Sequence, residues 1–344
     1  MKERDSNIEL LRIIATLFIL ILHCNGWFLR EWGGITTWSA GEGMLVGLTR
    51  SIIQSITYIG VDVFILISGF YSIKPKLKSI VKLFTILAFF YIGTYLLDVV
   101  VSDVTFTWRT LIVNLCAFSR ENWFIQCYLF LILLSPILNA FVENYSQKPL
   151  LIYILIFLAC AFYFGNIHDS TYFYFNGGYS ITTFILIYLV GRYLRLYGMN
   201  NFNTLSKYKV FVLYILSVAA IVFVRFISKN EAQWLNYNSP LIILSALLFF
   251  VLFTKISFKS KFVNMLGASC LSVYILHTCS PIINWFAEYD VYIFTQFPFP
   301  LYLLMMLGGC IVIFILAIVL DKIRYLIVSP ILRVIDKLKL MSYE

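Results

Sequence analysis

Charge is what this chain has least of. Only 12% of its 344 residues are charged, against 61% hydrophobic and 18% aromatic. A water-soluble domain cannot bury apolar surface on that scale, which excludes a soluble enzyme and indicates a polytopic membrane protein. No metal-ligand motif, Gly-rich phosphate loop, GxSxG or HExxH is present, which argues against the common soluble chemistries. The seven cysteines (24, 116, 127, 160, 270, 279 and 310) form no CxxC pair and no metal-ligand spacing, so they read as small packing residues. The net charge of +9 lies between hydrophobic runs, which is a topology signal and not a nucleic-acid face. There is no internal repeat and no low-complexity segment. No small-residue cleavage site follows the first apolar run (Trp27, Phe28, Leu29 and Arg30 come next), so that run is expected to be retained.

What is present is a series of apolar segments. Hydropathy predicts an all-α protein with ten spans: Ile8–Phe28, Ile52–Tyr71, Leu83–Val101, Trp123–Val142, Leu150–Phe164, Tyr179–Leu196, Val210–Ile227, Pro240–Ile256, Val263–Trp285 and Leu301–Leu320. With both termini cytoplasmic, 20 Lys and Arg residues fall inside and 6 (Arg30, Arg50, Arg109, Arg120, Arg225 and Lys229) outside. Residues 1–320 form the membrane domain. Residues 321–344 alternate apolar and basic positions, as an amphipathic tail on the inner membrane face would. The outer loops are longer, nearly neutral and richer in Gly, Asn and Trp, and would form a polar mouth with aromatic surfaces.

The first span carries Glu9, Arg12 and His23. Eleven residues separate Arg12 from His23, three turns plus about 20°, so they share one face with a rise of roughly 16 Å. Glu9 is placed to pair with Arg12 at i, i+3. A face of this kind looks into protein or water, not into lipid. The bland alternative is a snorkelling arginine plus a packed histidine.

Three further groups stand out. In Gly60–Phe70, Asp62 falls within a span, where an unpaired carboxylate costs at least about 2.5–3.5 kcal/mol on insertion scales. His23 is a candidate partner; a protonated or backbone-bonded Asp62 is the alternative. Ser68 and Gly69 lie at the inner end of the same run. The inner loop carries Lys74, Lys76, Lys78 and Lys82, read either as a lipid-facing topology determinant or as a patch for donor phosphates. In the ninth span Tyr274 and His277 are i, i+3 neighbours, for function or for packing. His168 reads as an ordinary surface histidine.

Asn7–Arg12 with its R-x10-H spacing to His23, the Gly60–Phe70 run, Asn122-Trp123-Phe124-Ile125, and Ser272-Val273-Tyr274-Ile275-Leu276-His277 resemble the motifs of the acyltransferase-3 family of integral membrane acyltransferases. The resemblance implies acyl transfer, usually of acetyl, from cytosolic acyl-CoA to a hydroxyl of a cell-surface or exported glycan or its lipid-linked precursor, at the plasma membrane. Arg12 and His23 would be the essential pair. His23 would act as general base or as acyl carrier, with Asp62 orienting it, while Arg12, Lys74, Lys76 and Lys78 would hold the donor. Glu9, Ser68, Trp123, Tyr274 and His277 are further site candidates. No permanent cofactor or metal is implied. The partners implied are acyl-CoA, the sugar acceptor and membrane lipids, with no nucleic acid. Lysines stand here where the family often has an Arg-rich motif. A transporter or flippase for a lipid-linked sugar is the competing class, and acyl-CoA consumption separates the two.

Overall fold

The computed structural model describes residues 5–37, 43–102, 104–115, 122–168, 172–228 and 234–337, without the side chains of 115 and 331–337. Lys2, Arg4, Cys116, Arg120, Lys229, Lys339 and the last residues of the tail (338–344) lie outside the described residues. Every regular element among the described residues is a helix. In chain order they are α1 (Ser6–Glu31), α2 (Met44–Thr57), α3 (Gly60–Tyr71), α4 (Leu77–Val101), α5 (Trp108–Leu115), α6 (Trp123–Glu143) and α7 (Gln147–Ile167). Then follow α8 (Ile181–Tyr193), α9 (Lys207–Ile227), α10 (Pro240–Thr254), α11 (Lys261–Gly267), α12 (Cys270–His277), α13 (Ile282–Gln296) and α14 (Phe299–Lys337).

Seven of these are long and apolar enough to cross a membrane: α1, the joined α2–α3, α4, α6, α7, α9 and α14. A helix stands at each of the ten predicted positions, but three fall short of a regular span. α10 has 15 residues, below the roughly 20 that cross a hydrocarbon core, while α8 runs on from Tyr193 through a π turn (Leu194–Gly198) into Met199–Asn203 but carries Arg192 and Arg195 and is not among the apolar spans. The predicted ninth span is broken into α11–α12 and α13, bent by 82°. Two local causes act at the bend. Pro281 has no N–H to continue the helix, and the Thr278 hydroxyl donates to the Tyr274 and Ile275 carbonyls (both 3.1 Å). Window hydropathy passed over the break because apolar residues flank it closely on both sides, although the His277-Thr278-Cys279-Ser280-Pro281 stretch carries the signal for it. α7, the predicted fifth span, is longer than expected, Gln147–Ile167, since Pro149 is tolerated in a first helical turn. Two stretches expected as loop are partly helical, in α2 from Met44 and in α5.

α1 is the central element. It packs on α2, α3, α10, α11, α12 and α14, and Leu11, Ala15 and Leu20 are wholly buried. A helix enclosed on nearly every side must be apolar all round, as this one is apart from its functional face. Glycine permits the close approaches. A Cβ on Gly60 would meet the Ala15 carbonyl at 2.8 Å, and one on Gly191 would meet the Leu66 carbonyl at 2.6 Å. Gly191 of α8 faces Gly69 of α3, so two backbones cross with no side chain between them.

At the Arg12 end, α14 is tied to its neighbours by a buried polar cluster. Asp321 accepts from Ser269 (2.7 Å), Ser272 (2.9 Å) and Arg324 Nε (2.8 Å), and Arg324 Nη1 reaches Thr85 (3.2 Å). The helix runs on to Lys337 without interruption at residue 321.

Candidate active site

α1 is regular from Ser6 to Leu22 and passes into a π turn over His23–Phe28. Single π turns inside α-helices concentrate at functional positions. Glu9 and Arg12 pair as the i, i+3 spacing predicts, Nη1 to Oε1 at 2.7 Å. Glu9 is buried against Gly267 of α11, where any larger residue would collide with its carboxylate.

The Arg12–His23 face opens into two cavities. The one at the Arg12 end has a volume of ≈ 520 Å³ and is lined by Arg12, Lys74, Lys82, Ser68 and Tyr128 among mainly apolar groups. Among the described residues, three cations and no carboxylate line it. The cavity at the other end measures ≈ 900 Å³ and holds His23, with Trp27, Tyr58, Trp123, Tyr179, Tyr237 and Tyr274 as aromatic walls. Thr36, Thr37, Gln54, Asn236, Arg30 and Arg225 supply its polar surface, with no carboxylate among the described residues that line it. Ile19 and Tyr274 line both. Ile19 stands seven residues after Arg12 and four before His23, so the three form one stripe down the helix.

Each predicted residue can now be placed. Ser68 lines the basic cavity, its Oγ 3.3 Å from the Tyr128 hydroxyl and donating to the Phe64 carbonyl (2.9 Å). Lys74 sits on a short loop pinned by Tyr188, whose hydroxyl accepts from the Ile73 N–H (3.1 Å) and donates to Asn139 (2.8 Å). Lys82 joins Lys74 in the lining, whereas Lys76 and Lys78 are exposed and line neither cavity. The lysine patch is therefore split, because only 74 and 82 project toward α1. Trp123 packs edge-on against Tyr179 (4.7 Å between centroids), and the Tyr274 ring lies tilted against Phe124 (4.8 Å).

One prediction about partners changes. Asp62 is wholly buried on α3, its carboxylate has no hydrogen-bond partner among the described residues, and it lines neither cavity. The position expected for it beside His23 is taken by His277: His277 Nε2 lies 2.9 Å from His23 Nδ1, and His277 Nδ1 lies 3.0 Å from the Val273 carbonyl. The reason lies in the broken ninth span. α12 ends at His277 and packs on α1, so its last turn faces His23.

Sequence reading missed several groups. Arg225, counted among outer surface charges, is buried and donates to Ser51 O (2.9 Å), Ser55 Oγ (3.2 Å) and Gln54 Oε1 (2.9 Å). Gln54 in turn donates to Thr37 Oγ1 (3.0 Å), shaping the aromatic cavity. Ser269, Ser272 and Asp321 fix the rotation of α12. An Arg in the last turn of an apolar helix was the available sign for Arg225, and the S-x-x-S spacing for the serines. Ile19 was legible as the residue between Arg12 and His23 on their shared face.

The fold and site together define a polytopic helical membrane protein with a basic cavity and an aromatic cavity that share Ile19 and Tyr274 in their linings. Residues 5–320 match the family model described as an acyltransferase domain, and the chain belongs to that acyltransferase-3 family. It is thus a multi-pass membrane acyltransferase. No curated protein and no solved structure matches the chain.

Proposed function

We propose that this acyltransferase moves an acyl group, acetyl in the first instance, from cytosolic acyl-CoA to a hydroxyl of a cell-surface or exported glycan or its lipid-linked precursor, at the plasma membrane. The observation that carries the reading is the pair of cavities meeting at Ile19 and Tyr274, with Arg12 in one and His23 in the other. The Arg12 end is cytoplasmic in this reading. Donor phosphates sit against Arg12, Lys74 and Lys82. The roughly 16 Å rise from Arg12 to His23 is of the order of an extended pantetheine arm. Aromatic faces and short amides in the second cavity suit a sugar, which offers C–H faces to rings and hydroxyls to polar groups.

In the step itself, the acceptor hydroxyl gives its proton to His23 and its oxygen attacks the thioester carbonyl carbon. The C–O bond forms, the C–S bond breaks, and the departing CoA thiolate takes the proton back from His23. An acyl-histidine route uses the same residue in two displacements. Asp62 has no place in either, since its carboxylate lines neither cavity.

The bend between α12 and α13 is the one observation favouring a transporter, a class in which discontinuous helices are common. Inside-out vesicles given labelled acetyl-CoA separate the two. Label in the sugar or lipid-linked sugar fraction supports the transferase. Its absence across a panel of acyl-CoA donors, with acceptor flipping intact, supports the transporter.

A further inference from the structure

The reading above, on which this inference rests, leaves undecided which nitrogen of His23 acts. We infer that His277 is a positioning residue that holds His23 in its Nδ1–H tautomer and so leaves the reactive lone pair on Nε2.

A backbone carbonyl only accepts hydrogen bonds. His277 Nδ1, 3.0 Å from the Val273 carbonyl, therefore carries a proton. In a neutral imidazole that leaves the lone pair on Nε2. The atom facing that lone pair at 2.9 Å is His23 Nδ1, which must then be the donor. His23 Nε2 is left with its lone pair, on a ring that lines the aromatic cavity. The opposite polarity would require His277 to be a cation on both nitrogens at 0% exposure, and an ion there costs several kcal/mol.

The two rings are confined by their surroundings. Trp27 lies edge-on to His23 at 4.9 Å between centroids, Phe28 at 5.9 Å, and Tyr274 edge-on to His277 at 5.6 Å. The Ser269 and Ser272 bonds to Asp321 set the rotation of α12, and with it the direction of His277. When His23 Nε2 takes the acceptor's proton, Nδ1–H stays bonded to His277 and the new positive charge meets an acceptor already in place. His277 thus does with a neutral imidazole what a carboxylate does in a triad.

The chain has three histidines, which makes the test direct. Protein labelled with ¹⁵N only in histidine, carrying His168→Asn, is reconstituted into bilayers and read by magic-angle-spinning NMR. His23 and His277 should both show the Nδ1–H form at neutral pH. In His277→Leu, His23 should shift toward Nε2–H. In His277→Gln, whose amide oxygen accepts, it should keep Nδ1–H. In the transfer assay His277→Leu should lose roughly 10²–10³-fold in kcat with an unchanged KM for the donor, and His277→Gln should recover part of the loss. An Nε2–H His23 in the parent protein, or a tautomer indifferent to residue 277, overturns the inference. The NMR arm needs no turnover, so a failed transfer assay would remove the functional reading without deciding this one.

Discussion

Replacing Arg12 is the perturbation whose two effects the structure separates. Its guanidinium lines the basic cavity and also faces Glu9 Oε1 at 2.7 Å, with Glu9 only 4% exposed in its side chain. In Arg12→Ala the donor site loses a charge-assisted contact to phosphate, worth about 1.5–3 kcal/mol, or roughly 10–150-fold in KM for acyl-CoA. The same change removes the cation beside a buried carboxylate. Breaking a fully buried pair costs about 3–5 kcal/mol, and less here because Arg12 is 32% exposed. The double variant Arg12→Ala with Glu9→Gln removes that charge and should recover expression and thermal stability while leaving KM raised. Arg12→Lys should fall between, since a point charge remains without the bidentate fork. The assay is initial rate against acetyl-CoA concentration in inside-out vesicles, with fluorescence-detected size exclusion for folding. A stable double variant with the parent's KM would refute the placing of donor phosphates at Arg12.

Three other outcomes follow from the geometry. Ile19→Ala thins the wall between the cavities and should widen the acyl chains accepted, read as relative rates for acetyl-, butyryl- and hexanoyl-CoA; an unchanged ratio would count against the shared wall. Asp321→Ala leaves Arg324, 1% exposed, without its carboxylate and should destabilise the bundle by about 3–5 kcal/mol, seen as a lower thermal midpoint, while Ser269→Ala should cost only about 1 kcal/mol. Gly191→Val places a branched side chain against the backbone of α3 and should yield aggregated protein on size exclusion, whereas a monodisperse peak would show that the α3–α8 crossing relaxes.

What could be read from the sequence was what a single regular helix dictates. The Glu9–Arg12 pair and the shared face of Arg12 and His23 follow from 3.6 residues per turn, and α1 is regular over that stretch. The helix positions follow from hydropathy in the same way. Partners across the bundle were not legible, because nothing local in α1 says that a residue 254 positions away will meet His23. Asp62 was the nearer candidate by motif and depth, yet its carboxylate lies apart from both cavities. The bend at Thr278–Pro281, which presents His277 to α1, was legible in the polar His277-Thr278-Cys279-Ser280-Pro281 stretch, but a hydropathy window averages over those few residues and reads one span. The lysine loop shows the same limit: four cations close in sequence divide by direction, and only Lys74 and Lys82 reach the cavity.

The central claim is that acyl transfer happens at His23, between a donor on one side and a sugar hydroxyl on the other. It is tested most directly by giving membranes labelled acetyl-CoA and comparing the parent protein with His23→Ala, at matched amounts of inserted protein, for label in the glycan and lipid-linked sugar fractions. The account predicts label with the parent and background with His23→Ala. Equal labelling by both would contradict it.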